Sequence, residues 1–596
     1  VAAANLTTFI GERGLGNYAE LHRWSVEHRD EFWGAVVDRL GIALRAPYRT
    51  VLDDSGGPEQ PRWLVGAELN IVESCFTAPP GRLAVAHRAG GAIHRVTYGE
   101  LRRRVGAAAH GLSRLGVVED DRVAIAMPMT VEAVVAYLAV VALGGVVVSI
   151  ADSFAPDEIA ARLRIAGAGL VVTQDRITRV GRHLPMYDKV VDAGAERAVA
   201  VDTGAGMRLR RGDLWWADVV DSGGADDFDP VPGAPDQVTN VLFSSGTTGD
   251  PKAIPWTQLT PIKAAMDGHF HHDIHSEDVV AWPTNLGWMM GPWLIYASLV
   301  NGAALALHDD APTGRGFADF VAEAGVTVLG VVPSLVAAWR SGGVLAPDAG
   351  RPVDWTGLRL LSSTGEASNP ADMRWLMGVA GGKPVIEYCG GTEIGGGYIT
   401  GTVLHDAVPS TFTTPALGWD LRLLDEDGSP AEEGELFLVP PSMGMSTELL
   451  NGDHHRVYYA GLPAADVPLR RHGDHMERLP GGRYRALGRV DDTMNLGGIK
   501  VSAAEIERVV AGVDGVAEAA AVAVPPPGGG PSRLVVYAVP APGIPLDPDT
   551  VKPAMQAAIG THLNPLFRID RVVPIDALPR TASAKVMRRR LREIAP

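Results

Sequence analysis

Short apolar runs closed by glycine, proline or acidic turns alternate along this chain with longer segments whose apolar positions recur at helical spacing. From Val96 the alternation is regular. Thr97, with Glu100 three residues on, forms a capping-box signature ahead of YGELRRRVGAAAHGLSRLG. The pattern then predicts a strand over Arg122–Met127, a helix over Thr130–Ala142, a strand over Gly145–Ser149, a helix over Glu158–Ala168 and a strand over Leu170–Thr173. Phe317–Ser334 repeats helix then strand, and Leu358–Leu361 supplies another strand. Strands separated by helices argue for an α/β layer architecture. Before this region, Asn17–Leu40 carries Trp24, Phe32, Val36 and Leu40 at roughly helical intervals, as expected of a cap packed on the main domain. After it, Leu421–Leu424 and Gly434–Val439 flank an Asp427-Gly428 turn and predict a β-rich subdomain. From Asp491 onward, helices over Ala504–Val510 and Val551–Leu563 and strands over Val516–Val524 and Leu534–Val539 make a small α+β domain, with Ser502 and Glu505 as a capping box. The run PPPGGGP at Pro525–Pro531 reads as a surface turn. The expected division is a large domain over residues 1–490, its first 79 residues a cap region, and a small domain over 491–596.

Composition changes this picture in three places. At 596 residues with 46% hydrophobic content, the chain is long enough for several cores. A formal charge of −17 argues against nonspecific nucleic-acid binding, which needs a cationic surface. The two cysteines, Cys75 and Cys389, lie far apart and form neither a disulfide framework nor a metal-ligand spacing, so inert thiols in a reducing cytoplasm are expected. No basic-then-apolar leader opens the sequence. The apolar run Val131–Ile150 is broken by Glu132 and by glycines, which favours a buried helix and strand over stable membrane insertion. His271, His272 and His275 are adjacent and in polar surroundings, and are read as an exposed turn. A monomer or homodimer is expected.

Candidate chemistry concentrates at Val241–Lys252, VLFSSGTTGDPK. A buried strand runs into the hydroxyls of Ser244, Ser245, Thr247 and Thr248 beside Gly246 and Gly249, whose missing β-carbons let backbone amides approach an anion. Asp250 and Pro251 separate the second glycine from Lys252, so the loop does not fit the G-x-x-x-x-G-K-[ST] phosphate motif. A surface loop remains the alternative. Val385–Gly397, VIEYCGGTEIGGG, again opens a strand into glycines, and Glu393 there makes sense as a Mg²⁺ ligand, with a helix-capping glutamate as the bland alternative.

These segments, with WPTNLGWMMGPW, SSTGE, RHGDHMER, GRVDDTMNLGGIK and TASAKVMRRR, follow the order of the adenylate-forming superfamily, which this chain resembles from about Trp63 to Arg590. Trp63–Phe76 and GWMMG are similar to acetyl-CoA synthetases in particular. The resemblance implies an α/β fold of two Rossmann-like layers plus a β-rich subdomain, followed by a mobile α+β domain hinged at Asp491. It implies that Ser244, Ser245, Gly246, Thr247, Thr248, Gly249 and Lys252 grip ATP phosphates. Gly365, Glu366 and Tyr388 would lie near adenine, Thr392 toward phosphate and Glu393 toward magnesium. Asp474 would accept the ribose hydroxyls, although His472 stands where threonine is usual, and Arg489 would contact ribose or phosphate. Trp288, Met289, Met290 and Gly390 would line the acyl pocket, and Gly497, Gly498 and Lys500 the coenzyme A tunnel. Lys585, preceded by Ala584 instead of the usual glycine, would act in adenylation with Thr248 and Glu393.

Acetyl-CoA synthetases carry a tryptophan where this chain has Gly390, so loss of an indole is expected to open the pocket to a medium-chain or aromatic acid. The implied reaction makes an acyl-AMP and pyrophosphate from a carboxylic acid and ATP, then transfers the acyl group to coenzyme A. An adenylating ligase with an amine, carrier-protein thiol or small inorganic acceptor, and a nonenzymatic sensor with the same fold, are the competing readings. A Ser-His-Asp hydrolase lacks its G-x-S-x-G elbow.

Overall fold

The computed structural model describes residues 4–221, 228–244, 251–346, 352–425, 427–490, 493–541, 545–580 and 586–595. Two large sheets organise the first part of the chain. The first runs from edge to edge through Leu214–Trp215, Arg197–Val201, Leu170–Gln174, Arg122–Ala126, Val146–Ile150, Val238–Ser244 and Lys252–Thr257. Its neighbours are parallel except for the last pair, which is antiparallel. The second runs through Thr414–Pro415, Gly396–Thr400, Val385–Gly391, Leu360–Ser363, Val328–Val331, Val279–Ala281, Ala304–Leu307, Leu83–Ala89 and Ala92–Thr97. From Val385–Gly391 to Leu83–Ala89 its strands are parallel.

Helices fill the space between the sheets. Val131–Ala142 and Met290–Leu299 join one buried cluster with Val123 and Val147 of the first sheet and Val280, Leu305 and Val328 of the second. Tyr137 and Tyr296 meet edge to face across that layer, ring centres 5.9 Å apart. Every residue of Val131–Ala142 except Glu132 is buried, which is where the apolar run read from the sequence goes. Among the described residues no helix is long and apolar enough to cross a membrane.

The expected cap packs on this body. Asn5 donates through Nδ2 to the carbonyls of His269 and Ile274, both at 3.0 Å, and Phe9 lies 4.8 Å from Phe270. The Asn17–Leu40 pattern is two helices, Tyr18–Glu27 and Arg29–Leu40, because His28 leaves helical geometry at ψ 60°. Strands Asp420–Leu424, Glu433–Val439, Arg470–Arg478 and Tyr484–Arg489 form the β-rich part. The small domain follows: hairpin Thr493–Leu496 with Ile499–Ser502, helix Ala503–Val510, strands Val516–Val524, Arg533–Pro540 and Ile569–Pro574, and helix Pro548–His562. Its Ser502/Glu505 capping box is complete. At Thr97 only half forms: its hydroxyl accepts from the Glu100 amide at 3.2 Å, but the Glu100 carboxylate pairs with Arg104.

One surface reading is corrected. His271 and His272 are fully buried, not an exposed turn. Both rings find partners in the core: His271 Nε2 accepts from the Leu417 amide at 3.3 Å, and His272 Nε2 lies 3.0 Å from Ser362 Oγ. Burial lowers both pKa values, that of His272 to about 4, so each is neutral. The Pro525–Pro531 run is a surface turn as expected, and it also makes a contact. Asn369 Nδ2 donates to the carbonyls of Gly528 at 3.2 Å and Gly529 at 2.7 Å, docking the small domain on the large one.

Candidate active site

A cleft of about 740 Å³ opens at the carboxyl ends of the parallel strands in the second sheet, where open α/β sheets place ligands. Ser244 at the end of its strand forms one side, and the small-domain turn Gly497–Lys500 forms another. Glu393 sits in the short helix Thr392–Ile394 that follows strand Val385–Gly391. The turn requires Gly391, since a β-carbon there would lie 2.6 Å from the His472 ring and 2.8 Å from the Glu393 carboxylate.

Glu393 is only 4% exposed. Its Oε1 accepts from Ser244 Oγ at 3.1 Å and Tyr458 OH at 3.4 Å, and Lys252 Nζ is 3.6 Å away. The Tyr458 ring is itself held under the Arg470 guanidinium at 4.1 Å. Burial opposes ionisation, but Lys252, Lys500 and His472 together hold the carboxyl well below its usual range. Its second oxygen, Oε2, is buried without a hydrogen-bond partner. A buried, charged oxygen without a hydrogen-bond partner suits a hard cation, so the residues present fit Mg²⁺. Among the described residues no cluster of three or more acidic, histidine or cysteine ligands offers another metal site.

Asp474 forms the second polar centre. Its Oδ1 accepts from Arg489 Nη1 at 3.1 Å and its Oδ2 from Tyr398 OH at 2.5 Å. Burial pushes its pKa up, but Arg489, His472 and Lys500 outweigh that and bring it to about 2. His472 lies with Nε2 3.7 Å from Asp474 Oδ2, and burial lowers its pKa to about 3, so a neutral ring stands between the two carboxylates. Cys389 Sγ is 3.2 Å from Tyr398 OH, and burial pushes the thiol up to about 12, in keeping with an inert thiol.

The large and small domains meet at Gly365 and Glu366. A β-carbon on Gly365 would lie 3.2 Å from Gly498 Cα, and Glu366 Oε2 accepts from the Ser334 amide at 3.0 Å. The Glu366 carboxylate also draws on the amides of Gly497 and Gly498, while its Oε1 is buried without a partner. Trp288 lines the cleft and packs against both a large-domain core and the small-domain core, 5.3 Å from the Phe154 ring. Met289, Met290, Thr392 and Lys500 line the same cleft.

Two site expectations change. The Tyr388 side chain is held in the core: its hydroxyl donates to Asp267 Oδ2 at 2.5 Å and its ring packs on His272 and Trp293. At Gly390 a β-carbon would lie 1.8 Å from the Gly396 carbonyl oxygen, so glycine is required by the close approach of two strands. Removal of an indole at this position is therefore not what makes room here. Ser245, Gly246, Thr247, Thr248, Gly249, Asp491 and Lys585 lie outside the described residues.

The sequence reading missed a polar group at the cleft mouth: Asp152 accepts from Asn285 Nδ2 at 2.7 Å and from Arg179 Nη2 at 2.7 Å. Asp152 follows the parallel strand Val146–Ile150, and a strand's carboxyl end was the available signal. Trp282, which opens the WPTNLGWMMGPW segment just after strand Val279–Ala281, also lines the cleft but was not named among the acyl-pocket residues.

Two parallel sheets sharing a helical layer, a carboxylate with an open oxygen beside a lysine, and a small domain closing over both define an adenylate-forming enzyme. Residues 72–446 match the AMP-binding enzyme family, residues 505–585 its C-terminal domain, and residues 18–75 the acetyl-coenzyme A synthetase N-terminus. The chain belongs to the AMP-binding enzyme family. It is 46% identical to the probable acyl-activating enzyme 17, peroxisomal, of Arabidopsis thaliana, over 97% of this chain and 83% of that protein. It is 42% identical to hexanoyl-CoA synthase of Cannabis sativa, over 100% of this chain and 87% of that protein. Acetoacetyl-CoA synthetase from Streptomyces lividans superposes with a TM-score of 0.77 at 28% identity, covering 100% of this chain and 94% of that structure.

Proposed function

We propose that this enzyme activates a medium-chain carboxylic acid with ATP and transfers the acyl group to coenzyme A. The observation that carries the reading is that Ser244, Asp474 and the Gly497–Lys500 turn line one cleft, with Glu393 and Lys252 held against Ser244 and Arg489 against Asp474. Full-length similarity to a hexanoyl-CoA synthase supports the acid's size.

In this reading a substrate carboxylate oxygen attacks the α-phosphorus, and the bond to the β-phosphate oxygen breaks to release pyrophosphate. The 244–252 segment and Lys585 offset the negative charge that keeps the two anions apart. Asp474, ionised throughout the physiological range, accepts the ribose hydroxyls, and Arg489 holds Asp474 in place. Gly365 and Glu366 border the adenine side. When bound at Glu393, magnesium neutralises phosphate charge. In the second step the coenzyme A sulfur attacks the acyl carbon and AMP leaves. Gly497, Gly498 and Lys500 border its approach. The domain boundary falls at residues 490 and 491, with Asp491 as hinge, and the enzyme is a cytoplasmic monomer or homodimer.

The test is a panel of straight-chain and aromatic acids assayed with and without coenzyme A, with AMP and thioester measured separately. Hexanoate or a near neighbour is expected to give the highest kcat/KM with coenzyme A-dependent thioester. Acetate as much the best substrate, or AMP formation indifferent to coenzyme A, would overturn it. Lys585→Ala is expected to cripple pyrophosphate release while sparing thiolysis of a supplied acyl-AMP.

A further inference from the structure

Room for an acyl chain must lie on one side of Gly390 or the other. Behind it the strands are closed. A β-carbon on Gly396 would lie 2.2 Å from Asp267 Oδ2, and one on Gly397 would lie 2.3 Å from the Tyr388 ring, so no space separates the strand from the buried Asp267–Tyr388 pair. The open side is the cleft, whose lining includes Gly390 together with Met289, Met290 and Trp282. Trp282 and Met290 are almost fully buried, and both line the cleft.

Trp282 has nowhere to retreat. Its indole lies on the backbone of Gly330, where a β-carbon would sit 1.9 Å from ring atom Cδ2. On its flanks it meets Trp293 edge to face at 5.4 Å and His272 at 6.1 Å. Those two rings are themselves packed on Tyr388, at 5.8 and 4.8 Å. A planar ring wedged among backbone and two other rings, which a third ring backs in turn, is a rigid surface, because close-packed interiors yield little to a ligand.

We propose that Trp282 sets the acyl chain length this enzyme accepts: its indole, seated on Gly330, is the end wall of the acyl chamber. This rests on the acyl-activating reading above and adds the residue that gives the site its depth. A chain that reaches the indole gains apolar burial with each methylene, and one that passes it must displace a fixed ring.

The experiment measures kcat/KM for AMP formation with the even-numbered acids from acetate to dodecanoate, at saturating ATP and coenzyme A. It uses wild type, Trp282→Phe, Trp282→Ala and Gly330→Ala. Trp282→Ala is expected to move the optimum to acids about two to four carbons longer and to raise the decanoate-to-hexanoate ratio about tenfold, with KM for ATP changed by less than about twofold. Trp282→Phe should move the optimum the same way by less. Gly330→Ala, which drives the indole toward the chamber, should favour shorter acids. If Trp282→Ala does not fold, the other two variants decide the matter, since they shift the wall in opposite directions. Profiles that fall in parallel at every chain length, with the optimum unmoved, overturn the inference. A wild-type enzyme that activates no acid overturns the functional reading and this inference together. Wild-type activity with unmoved variant profiles overturns this inference alone.

Discussion

At the scale of single residues, the site depends on charges that burial would neutralise if they stood alone. Glu393 keeps its charge because the cations Lys252 and Lys500 face it. Glu393→Gln is expected to raise the magnesium concentration needed for half-maximal pyrophosphate release and to lower kcat by roughly 10²–10³-fold. A magnesium titration of the variant checks both. Glu387, also buried in strand Val385–Gly391, shows the opposite case. Burial pushes its pKa to about 7 against a hydrogen bond from the Ser368 hydroxyl. Between the ordinary value of 4.5 and about 7 the folded state keeps a proton that the unfolded chain has lost, so stability falls as pH rises through that window. Glu387→Gln should abolish that slope and stabilise the protein by about 3 kcal/mol near neutral pH and above, with little effect in acid. Thermal melts of both proteins across the window test it. Residue chemistry of this kind was legible in part. The sequence pointed to Glu393 because a strand opens into glycines around it, and to Asp474 through its resemblance to a family signature in spite of His472. It misjudged Tyr388, because the side chain's direction depends on a strand register that shifts between Cys389 and Gly390.

At the scale of elements, hydrophobic spacing predicted helices and strands well wherever one face is buried. Arg122–Ala126, Val131–Ala142 and Val146–Ile150 fall within a residue or two of the pattern. Turns were harder. Pro525–Pro531 is the surface turn that its glycines and prolines mark, but nothing local announced that Asn369 holds two of its carbonyls. Asn369 also caps helix Pro370–Val379, its Oδ1 accepting from the Ala371 and Asp372 amides. Asn369→Asp keeps the cap and removes the donor. With each hydrogen bond worth about 0.5–1.5 kcal/mol, it is expected to slow thiolysis of supplied acyl-AMP by about three- to tenfold while leaving pyrophosphate release unchanged. The reason is that the clip holds the orientation in which Gly497 and Gly498 face the cleft. Equal loss in both half-reactions would remove the clip's selective role.

At the scale of the whole molecule, the amino-terminal helices are part of the main core and not an appendage. Leu6, Phe9, Leu21, Phe32, Trp33 and Val36 are buried in the same cluster as the helices between the sheets. Deleting residues 4–41 should expose that surface, so the truncated protein is expected to aggregate or lose cooperative unfolding, as size-exclusion chromatography and thermal melts would show. The sequence by itself determined the α/β layering, the order of the motifs and the two-domain plan, because periodicity and glycine-rich turns are local properties that each segment carries alone. Tertiary structure decided the rest: which face of strand Val385–Gly391 meets the cleft, that His271 and His272 are core, and that Gly390 closes one direction while Trp282 bounds another. Those are distances between residues far apart in the chain, set by how closely neighbouring strands and rings can pack, and no local pattern encodes them.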